Sequence, residues 1–475
     1  MGGLKSKTKY GLYWSAAGNF ANQGLRFAFG IILARLLAPE AYGVIGMLGV
    51  FISLIAVFID CGFSQALIAK QDRTEVDYST EFLFNIVVGA FGYGVLFVAA
   101  PFISRFYAMP ILTPVLRVIG LGLIVNSLCV VPSAIFAIRL DFRTPAVISV
   151  VVYVISGIIG ICMAYKGYGV WALAAQQIIG GAMTAVLYWI RAAWCPSFVF
   201  SRQSFRYLWN YGSKMLGASL IQQGYDNLYP LIIGKFFNAS SLGLYSRAQS
   251  FATLPSINIS AMINNVTFPV LCKIAADKSR LEDVYRRMMR ATAFLVFPAM
   301  IGLAAVAEPL VKVLLNEKWY DCILLLQLLC FALVWNPLSG IQLNVFKATG
   351  RSDVILRLEV YKRILGVITI VGTIKFGLVG ICIGYILLYV SCFVLNIVIL
   401  SRQLDISLKW LLLDILPILG VSIVMGIFIC LITYIINNDM ISLLIGVSVG
   451  IGLYYFMSYI FMRGVLLEVK SIIAK

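Results

Sequence analysis

Residues 146–165 read AVISVVVYVISGIIGICMAY, a run of 20 residues that contains no charged side chain. A helix of about 20 apolar residues is long enough to cross the hydrocarbon core of a bilayer. The rest of the chain follows the same pattern, because 61% of its 475 residues are hydrophobic and only 12% are charged. Soluble proteins are about 45–50% apolar and about 25% charged. The chain is therefore predicted to be an integral membrane protein.

Counting segments of this kind predicts an all-α integral membrane protein with about 14 transmembrane helices. No connecting loop is long enough to form a domain, so any function must lie in the helix bundle. The eighth segment is the weakest, because several Ser and Asn residues fall inside it, as expected of a helix that faces water or a partner helix. The predicted helices 1 to 14 are 11–36, 43–68, 81–105, 112–136, 146–165, 169–190, 211–233, 242–270, 291–315, 321–346, 356–374, 378–401, 411–436 and 440–462.

The basic residues are distributed as membrane topology requires. The chain has 37 Lys and Arg against 20 Asp and Glu, a net charge of +17, without a compact basic segment, which argues against a nucleic-acid partner. With a cytoplasmic N-terminus, 27 of the basic residues fall on the cytoplasmic side and seven on the other. This excess predicts that both termini are cytoplasmic. The most charged connection, 271–290, is interpreted as a solvated amphipathic loop helix, with a lipid-headgroup site as the alternative.

The residues that are missing exclude several classes of protein. The sequence has no His, and its ten Cys include no CxxC pair, so we expect no metal site and no cofactor. It has no GxxxxGK[ST] phosphate loop, which argues against an ATP-driven pump. Membrane glycosyltransferases, polymerases and ligases need acidic or His catalysts, usually on a large external loop, and this chain has neither the His nor the loop. We therefore expect no enzyme activity. A purely structural scaffold would seldom keep charge at mid-membrane.

The two halves of the chain resemble each other at an offset of 200 residues. Asn22-Gln23-Gly24 corresponds to Gln222-Gln223-Gly224, and Gly43 corresponds to Gly243. The repeat unit is six helices, so both copies enter the membrane in the same direction, as in transporters that rock two bundles around a midplane site. The predicted division is an N-terminal lobe of helices 1–6 at 1–205, a C-terminal lobe of helices 7–12 at 206–402, and two additional helices with a cytoplasmic tail at 403–475.

One charged residue lies where a charge is expensive. Arg26 is about eleven residues from the outer end of helix 1, roughly 16 Å at 1.5 Å per residue, and is therefore near mid-membrane. Arg at that depth costs about 2.5–3.5 kcal/mol on insertion scales. Its repeat equivalent is Asp226. Three readings stay open: an Arg26–Asp226 ion pair, a cavity where Arg26 binds an anion while Asp226 couples to H⁺ or Na⁺, and a pair that only fixes packing.

Four further residues are candidates for the lining of such a cavity. Gln23 and Gln223 lie beside the two charges, and Tyr225 flanks Asp226. Tyr225 would either stack against a sugar ring or belong to the interfacial aromatic belt. Arg247, near the start of helix 8, would either line the outer part of the cavity or snorkel to the interface.

Four short motifs, in order along the chain, resemble those of Wzx-type polysaccharide flippases. Arg35 to Gly43 (RLLAPEAYG) is similar to a signature after helix 1, and Gly167 to Leu173 (GYGVWAL) resembles an element of the WzxC-like branch. Asn316 to Trp319 (NEKW) resembles a turn after helix 9, with Asn316 in place of the usual Gly. Arg139 to Arg143 (RLDFR) fits the loop after helix 4.

The resemblance implies two six-helix lobes in a V with alternating access between them. It also implies flipping of an undecaprenyl-pyrophosphate-linked oligosaccharide, such as an O-antigen, capsule or exopolysaccharide repeat unit, across a bacterial cytoplasmic membrane. Membrane lipids and polysaccharide polymerase or assembly proteins are the other expected partners. The alternatives in the same superfamily are a cation-coupled multidrug exporter and a lipid II flippase. A drug exporter should prefer an acidic cavity, whereas Arg26 and Arg247 accompany the single acid Asp226, which favours an anionic substrate.

Overall fold

The computed structural model describes residues 2–275, 277–404 and 408–473, and all regular secondary structure in these ranges is helical. Two short 3₁₀ turns, Glu317–Trp319 and Ile374–Phe376, accompany the α-helices. The α-helices are α1 (Gly2–Leu36), α2 (Pro39–Asp60), α3 (Phe63–Ala69), α4 (Glu75–Tyr107), α5 (Leu112–Ile138), α6 (Arg143–Tyr165), α7 (Val170–Ala192), α8 (Arg202–Asp226), α9 (Leu228–Phe236), α10 (Ala239–Ile274), α11 (Lys278–Ala305), α12 (Ala307–Leu314), α13 (Cys322–Leu333), α14 (Asn336–Ala348), α15 (Ser352–Thr373), α16 (Gly377–Leu404), α17 (Leu408–Ile435), α18 (Asp439–Phe461) and α19 (Arg463–Ile473).

Eleven helical segments in the described part are long and apolar enough to cross a membrane. One of them, Asp353–Arg402, contains two predicted helices, so the eleven account for twelve of the fourteen. The other two predicted helices, 11–36 and 211–233, are present as α1 and as α8 with α9, but they are too polar to be among the eleven. The predicted all-α membrane fold is confirmed.

The chain divides into two compact units, Met1–Gly243 and Leu244–Lys475. In the first unit, α8 packs on α2, α3 and α4, and α9 packs on α2 and α4. The sequence-based lobes (1–205, 206–402 and 403–475) were defined by the internal repeat, whereas the two units are defined by contacts within the structure. The lobes therefore stay a prediction. Residues 405–407, 474 and 475 of the third segment lie outside the described residues, as does Met1, so neither chain end is described.

The first turns of α2 and α10 cross within the first unit at residues that the repeat equates. A Cβ atom added to Gly43 would lie 1.7 Å from the carbonyl oxygen of Ala239. A Cβ atom added to Gly243 would lie 1.9 Å from the carbonyl oxygen of Pro39. The two contacts are reciprocal at the offset of 200 residues. Glycine is required on both sides, because each backbone occupies the space of the other's side chain.

The charged stretch 278–290 is not a loop. It forms the first half of α11, which continues without a break to Ala305. Arg286 Nε lies 2.8 Å from Asp414 Oδ2 in α17, and Arg290 lies 3.0 Å from Glu468 Oε1 in α19. Sequence counting missed this arrangement because the acidic partners are more than 120 residues away along the chain. The stretch is thus helical, as interpreted, but it is continuous with the following span, and Arg286 and Arg290 tie it to the C-terminal helices.

Candidate functional site

Arg26 lies where α1 packs against α6, and the two helices run side by side in the same direction. We call this line of contact the seam. Small residues close the seam at both ends. A Cβ atom on Gly18 would lie 2.6 Å from Ala146 Cβ, and one on Gly157 would lie 2.6 Å from Phe29 Cδ1. Eleven residues separate the two contacts on each helix, which is three helical turns. The register of the two helices is therefore fixed.

Two polar contacts lie between these ends. Asn22 Nδ2 donates to Ser149 Oγ at 2.7 Å. One turn further along, the Arg26 guanidinium carbon lies 5.8 Å from the centroid of the Tyr153 ring, a cation–π contact. Arg26 is exposed and Gln23 is half-buried. The seam thus holds a permanently charged group with five N–H donors on the surface of the first unit.

The second set of predicted residues surrounds a break in a helix. α8 ends at Asp226, and α9 begins two residues later. Pro230 has no N–H to donate to the Asp226 carbonyl, and its ring crowds that carbonyl, which accounts for the break. Asn227 Nδ2 bridges the break, because it donates to the Gln223 carbonyl at 2.7 Å and to Ser53 Oγ of α2 at 3.0 Å.

The Asp226 carboxylate is exposed at the last residue of α8. Both of its oxygens accept from Gln222 Nε2 at 2.9 Å. A helix C-terminus carries partial negative charge, so a carboxylate there is electrostatically unfavourable and attracts cations. Over the ranges that the structure describes, no ion pair joins Arg26 to Asp226, and the predicted pairing of these two charges is not present in this conformation.

Arg247 belongs to the second unit, apart from the other candidates. Its guanidinium carbon lies 5.3 Å from the centroid of the Trp319 ring, which is fully buried in the turn Glu317–Trp319. The NEKW motif thus supplies the aromatic face on which Arg247 packs. The structure places Gln23 with Arg26 on α1, and places Gln223, the half-buried Tyr225 and Asp226 at the end of α8.

Sequence reasoning missed a buried polar pair in α4. Glu81 was the first residue of a predicted helix, where a carboxylate is expected to face water. In the structure α4 begins six residues earlier, at Glu75, and both Glu81 and Asn85 have no exposed surface. The available signal was the spacing of four residues between them, which puts both side chains on one face of an apolar helix.

Comparisons with known proteins place the chain among proteins of polysaccharide assembly. A family model described as "Polysaccharide biosynthesis protein" matches residues 32–324, a range that contains all four motifs. The teichuronic acid biosynthesis protein TuaB of Bacillus subtilis is 27% identical over 300 residues, 62% of each chain. The lipopolysaccharide biosynthesis protein WzxC of Escherichia coli is 25% identical over 398 residues, 82% of this chain and 79% of the relative. The chain thus spans less than two thirds of TuaB.

A solved structure gives the same fold. The lipid II flippase MurJ, in an inward closed conformation, has a TM-score of 0.77 over 95% of this chain and 99% of its own, at 17% sequence identity. At this identity the match establishes the fold alone. It agrees with the architecture that the sequence motifs implied, and it leaves the substrate to be argued from the residues.

Proposed function

The chain belongs to the polysaccharide biosynthesis protein family, and from this premise we propose that it flips a lipid-linked oligosaccharide across a bacterial cytoplasmic membrane. Two of its relatives are named for different polymers, teichuronic acid and lipopolysaccharide. Relatives that serve different glycans must recognise something other than one sugar. In an undecaprenyl-pyrophosphate-linked unit, the constant part is the lipid pyrophosphate. The proposed common ligand is therefore an anion, and the glycan differs from protein to protein.

The observation that best supports this proposal is the exposed position of Arg26 on a predicted membrane-spanning helix. It is exposed in the second half of the long helix α1, and none of the ion pairs in the described part involves it. Arg cannot give up its proton in a protein, so it cannot avoid the cost of lipid by becoming neutral. The inexpensive location for such a group is a water-filled face. There its planar fork of donors can bind phosphate oxygens in a bidentate manner.

The polarity of α1 and α8 supports a water-filled face in the first unit. Neither helix is among the eleven apolar spans, although both are long enough to cross a membrane. Their exposed residues include polar groups, namely Asn19 and Arg26 inside α1 and Gln222 and Asp226 in the last turn of α8. A helix with this composition is suited to line an aqueous path rather than to face acyl chains.

We further propose Asp226 as the residue that couples transport to H⁺ or Na⁺. It places an acidic side chain at the C-terminal end of α8, beside a backbone carbonyl that Pro230 leaves without a helical donor. Ends of broken helices and unwound carbonyls are where transporters hold coupling cations. The proposal includes no covalent chemistry, because flipping changes the location of the substrate and not its bonds.

The test of the substrate proposal replaces Arg26 and measures flipping of a lipid-linked oligosaccharide in proteoliposomes. Arg26→Ala should lose nearly all transport, while Arg26→Lys should retain part of it, because Lys keeps the charge without the bidentate fork. Arg105→Ala is the matched control, since Arg105 is an exposed arginine at the end of α4 in the same unit. Full activity of folded Arg26→Ala protein would refute the phosphate role. Loss of folded protein in that variant would favour a packing role instead.

A further inference from the structure

Glu81 is a buried acid whose hydrogen-bonding capacity is mostly unused. It has 0% exposed surface, and its Oε1 accepts from Ser64 Oγ at 3.2 Å. In the described part of the chain, its Oε2 has no hydrogen-bond partner. Asn85, one turn further along α4, also has 0% exposed surface, and neither its amide oxygen nor its amide nitrogen has a partner there. Two neighbouring polar side chains are thus buried and incompletely satisfied.

A second carboxylate is connected to Glu81 through Ser64. The Ser64 backbone N–H donates to Asp60 Oδ1 at 3.1 Å, while its hydroxyl donates to Glu81. Asp60 is the last residue of α2, and Cys61 and Gly62 turn the chain into α3 through left-handed backbone angles, with φ of 48° and 78°. Ser64 therefore links two acidic side chains at a break between helices.

The neighbouring buried acid Asp77 provides a comparison, because its carboxylate is paired with a cation and hydrogen-bonded. Asp77 lies one turn before Glu81 on the same helix and is also buried, with 1% exposed surface. Lys70 Nζ lies 2.8 Å from its carboxylate, and the Thr74 backbone N–H donates to it at 2.7 Å. Glu81 receives one hydroxyl and no cation among the described residues. An unpaired buried carboxylate is expensive, so this contrast indicates that Glu81 is held in its neutral form.

The surroundings of Glu81 contain little that could balance a negative charge. From α2 the nearest titratable group is Asp60, whose negative charge would repel a negative charge on Glu81. α3 contributes the hydroxyl of Ser64, which does not titrate, and Lys70 at the end of that helix is paired with Asp77. α5 and α8 contribute apolar side chains to the cluster beside Ser64. That cluster contains Cys61, Phe63, Ala66, Leu67, Ala134 and Leu208.

We propose that the Glu81 carboxyl group is a proton-binding site of the first unit, which takes up one proton at Oε2 and releases it again. A neutral carboxyl group carries an O–H donor, and the amide oxygen of the neighbouring Asn85 is an acceptor without a partner in the described part of the chain. Uptake converts the carboxylate and one proton from water into the acid, and no other bond changes. A small metal cation fits less well, because it needs several oxygen ligands and the nearest oxygens of Asp60 and Glu81 already accept from Ser64.

The site goes beyond the proposed function and does not rest on it. The direct test is infrared difference spectroscopy of the full-length protein in liposomes, titrated with acid and base. The wild type should show the carbonyl stretch of a protonated carboxyl group that disappears at high pH. Glu81→Gln should lose this band, because an amide does not titrate. Asp72→Asn, which changes an exposed acid near α4, should keep it. A spectrum of Glu81→Gln identical to that of the wild type would overturn the proposal.

Ser64→Ala provides a second test that leaves the acid in place, and it applies even if Glu81→Gln fails to fold. Loss of the hydroxyl donor should shift the carboxyl band to higher wavenumber, because the carbonyl oxygen loses a hydrogen bond. An unshifted band would mean that the titrating group is elsewhere. The titration is run in potassium and in sodium buffers. A band that sodium abolishes at constant pH would overturn the proton assignment in favour of a cation site. A titrating Glu81 in a protein that moves no glycan would refute only the proposed function.

Discussion

Replacement of Gly43 with alanine tests the crossing of α2 and α10 directly. The new Cβ atom would lie 1.7 Å from the carbonyl oxygen of Ala239. Carbon and carbonyl oxygen in contact are about 3.4 Å apart, so the two helix starts would have to separate by about 1.7 Å. The obstacle is a helix backbone, which cannot turn aside as a flexible side chain can. The strain must therefore be relieved by moving one helix relative to the other.

The expected loss of stability follows from two opposing effects. Overpacking a well-packed site typically costs about 1–3 kcal/mol, while Ala gains up to about 1 kcal/mol over Gly in a helix. The difference between these ranges is a net destabilisation of about 0–2 kcal/mol, and the clash with backbone favours the upper end, about 2 kcal/mol. Each kcal/mol lowers the Tm by about 2–4 °C for a unit of this size. Gly49→Ala is the matched control, because it lies in the same helix and a Cβ atom added there would have nothing within 4 Å. Thermal unfolding of both purified proteins in one detergent should show a lower Tm for Gly43→Ala only.

The reciprocal contact gives a second, sharper readout. Gly243→Ala places a Cβ atom 1.9 Å from the Pro39 carbonyl oxygen in the same crossing. Once the first substitution has separated the helices, the second should add little, so the double variant should be nearly as stable as Gly43→Ala alone. Such non-additivity is expected of residues that share one contact. Fully additive losses, or a Gly43→Ala protein as stable as Gly49→Ala, would refute this account of the packing.

Two further predictions concern coupling and topology. If Asp226 couples transport to a cation, Asp226→Asn should bind substrate but no longer respond to an imposed proton or sodium gradient in proteoliposomes. Gradient-dependent flipping that persists in this variant would eliminate the coupling role. If both termini are cytoplasmic, a reporter fused at Lys475 should be active with a cytoplasmic marker and silent with a periplasmic one. The reverse pattern would invert the assignment of every loop.

The sequence predicted the helices well because apolar length is a local property. Even the polar segments 11–36 and 211–233 are helical in the structure, as α1 and as α8 with α9. Some features of the fold were not predicted. Helix breaks lie inside the predicted spans 43–68, 211–233, 291–315 and 321–346. The helix break after Asp226 was not predicted, although Pro230 is the visible signal, because the residues around it are apolar enough to read as one span. The first half of α11 was expected to be helical, but its ion pairs with the C-terminal helices were not predicted, because the partners of Arg286 and Arg290 lie more than 120 residues away along the chain.

The candidate site was predictable only where one residue is anomalous by itself. Arg26 stands out in any apolar helix, and repeat symmetry leads from it to Asp226. The sequence could not show that Tyr153 packs on Arg26, because that contact depends on the register of α1 against α6. The Gln222–Asp226 contact, by contrast, has the i,i+4 spacing of neighbours on one helix and could have been predicted. Glu81 was missed for the opposite reason. At the end of a predicted span a carboxylate looks ordinary, and only the packing of α2, α3 and α4 shows that it is buried.

Arg26 and Glu81 are two solutions to one physical problem, the cost of a charge within a membrane-spanning bundle. A guanidinium group keeps its proton under all physiological conditions, so its charge must be solvated by water or paired with an anion. The exposure of Arg26 on a polar helix fits that requirement and suits a ligand whose charge is also permanent. A carboxyl group has the further option of becoming neutral, and the complete burial of Glu81, with no cation paired to it among the described residues, favours that option. The first unit thus combines a fixed charge suited to an anionic substrate with a reversible one suited to a proton.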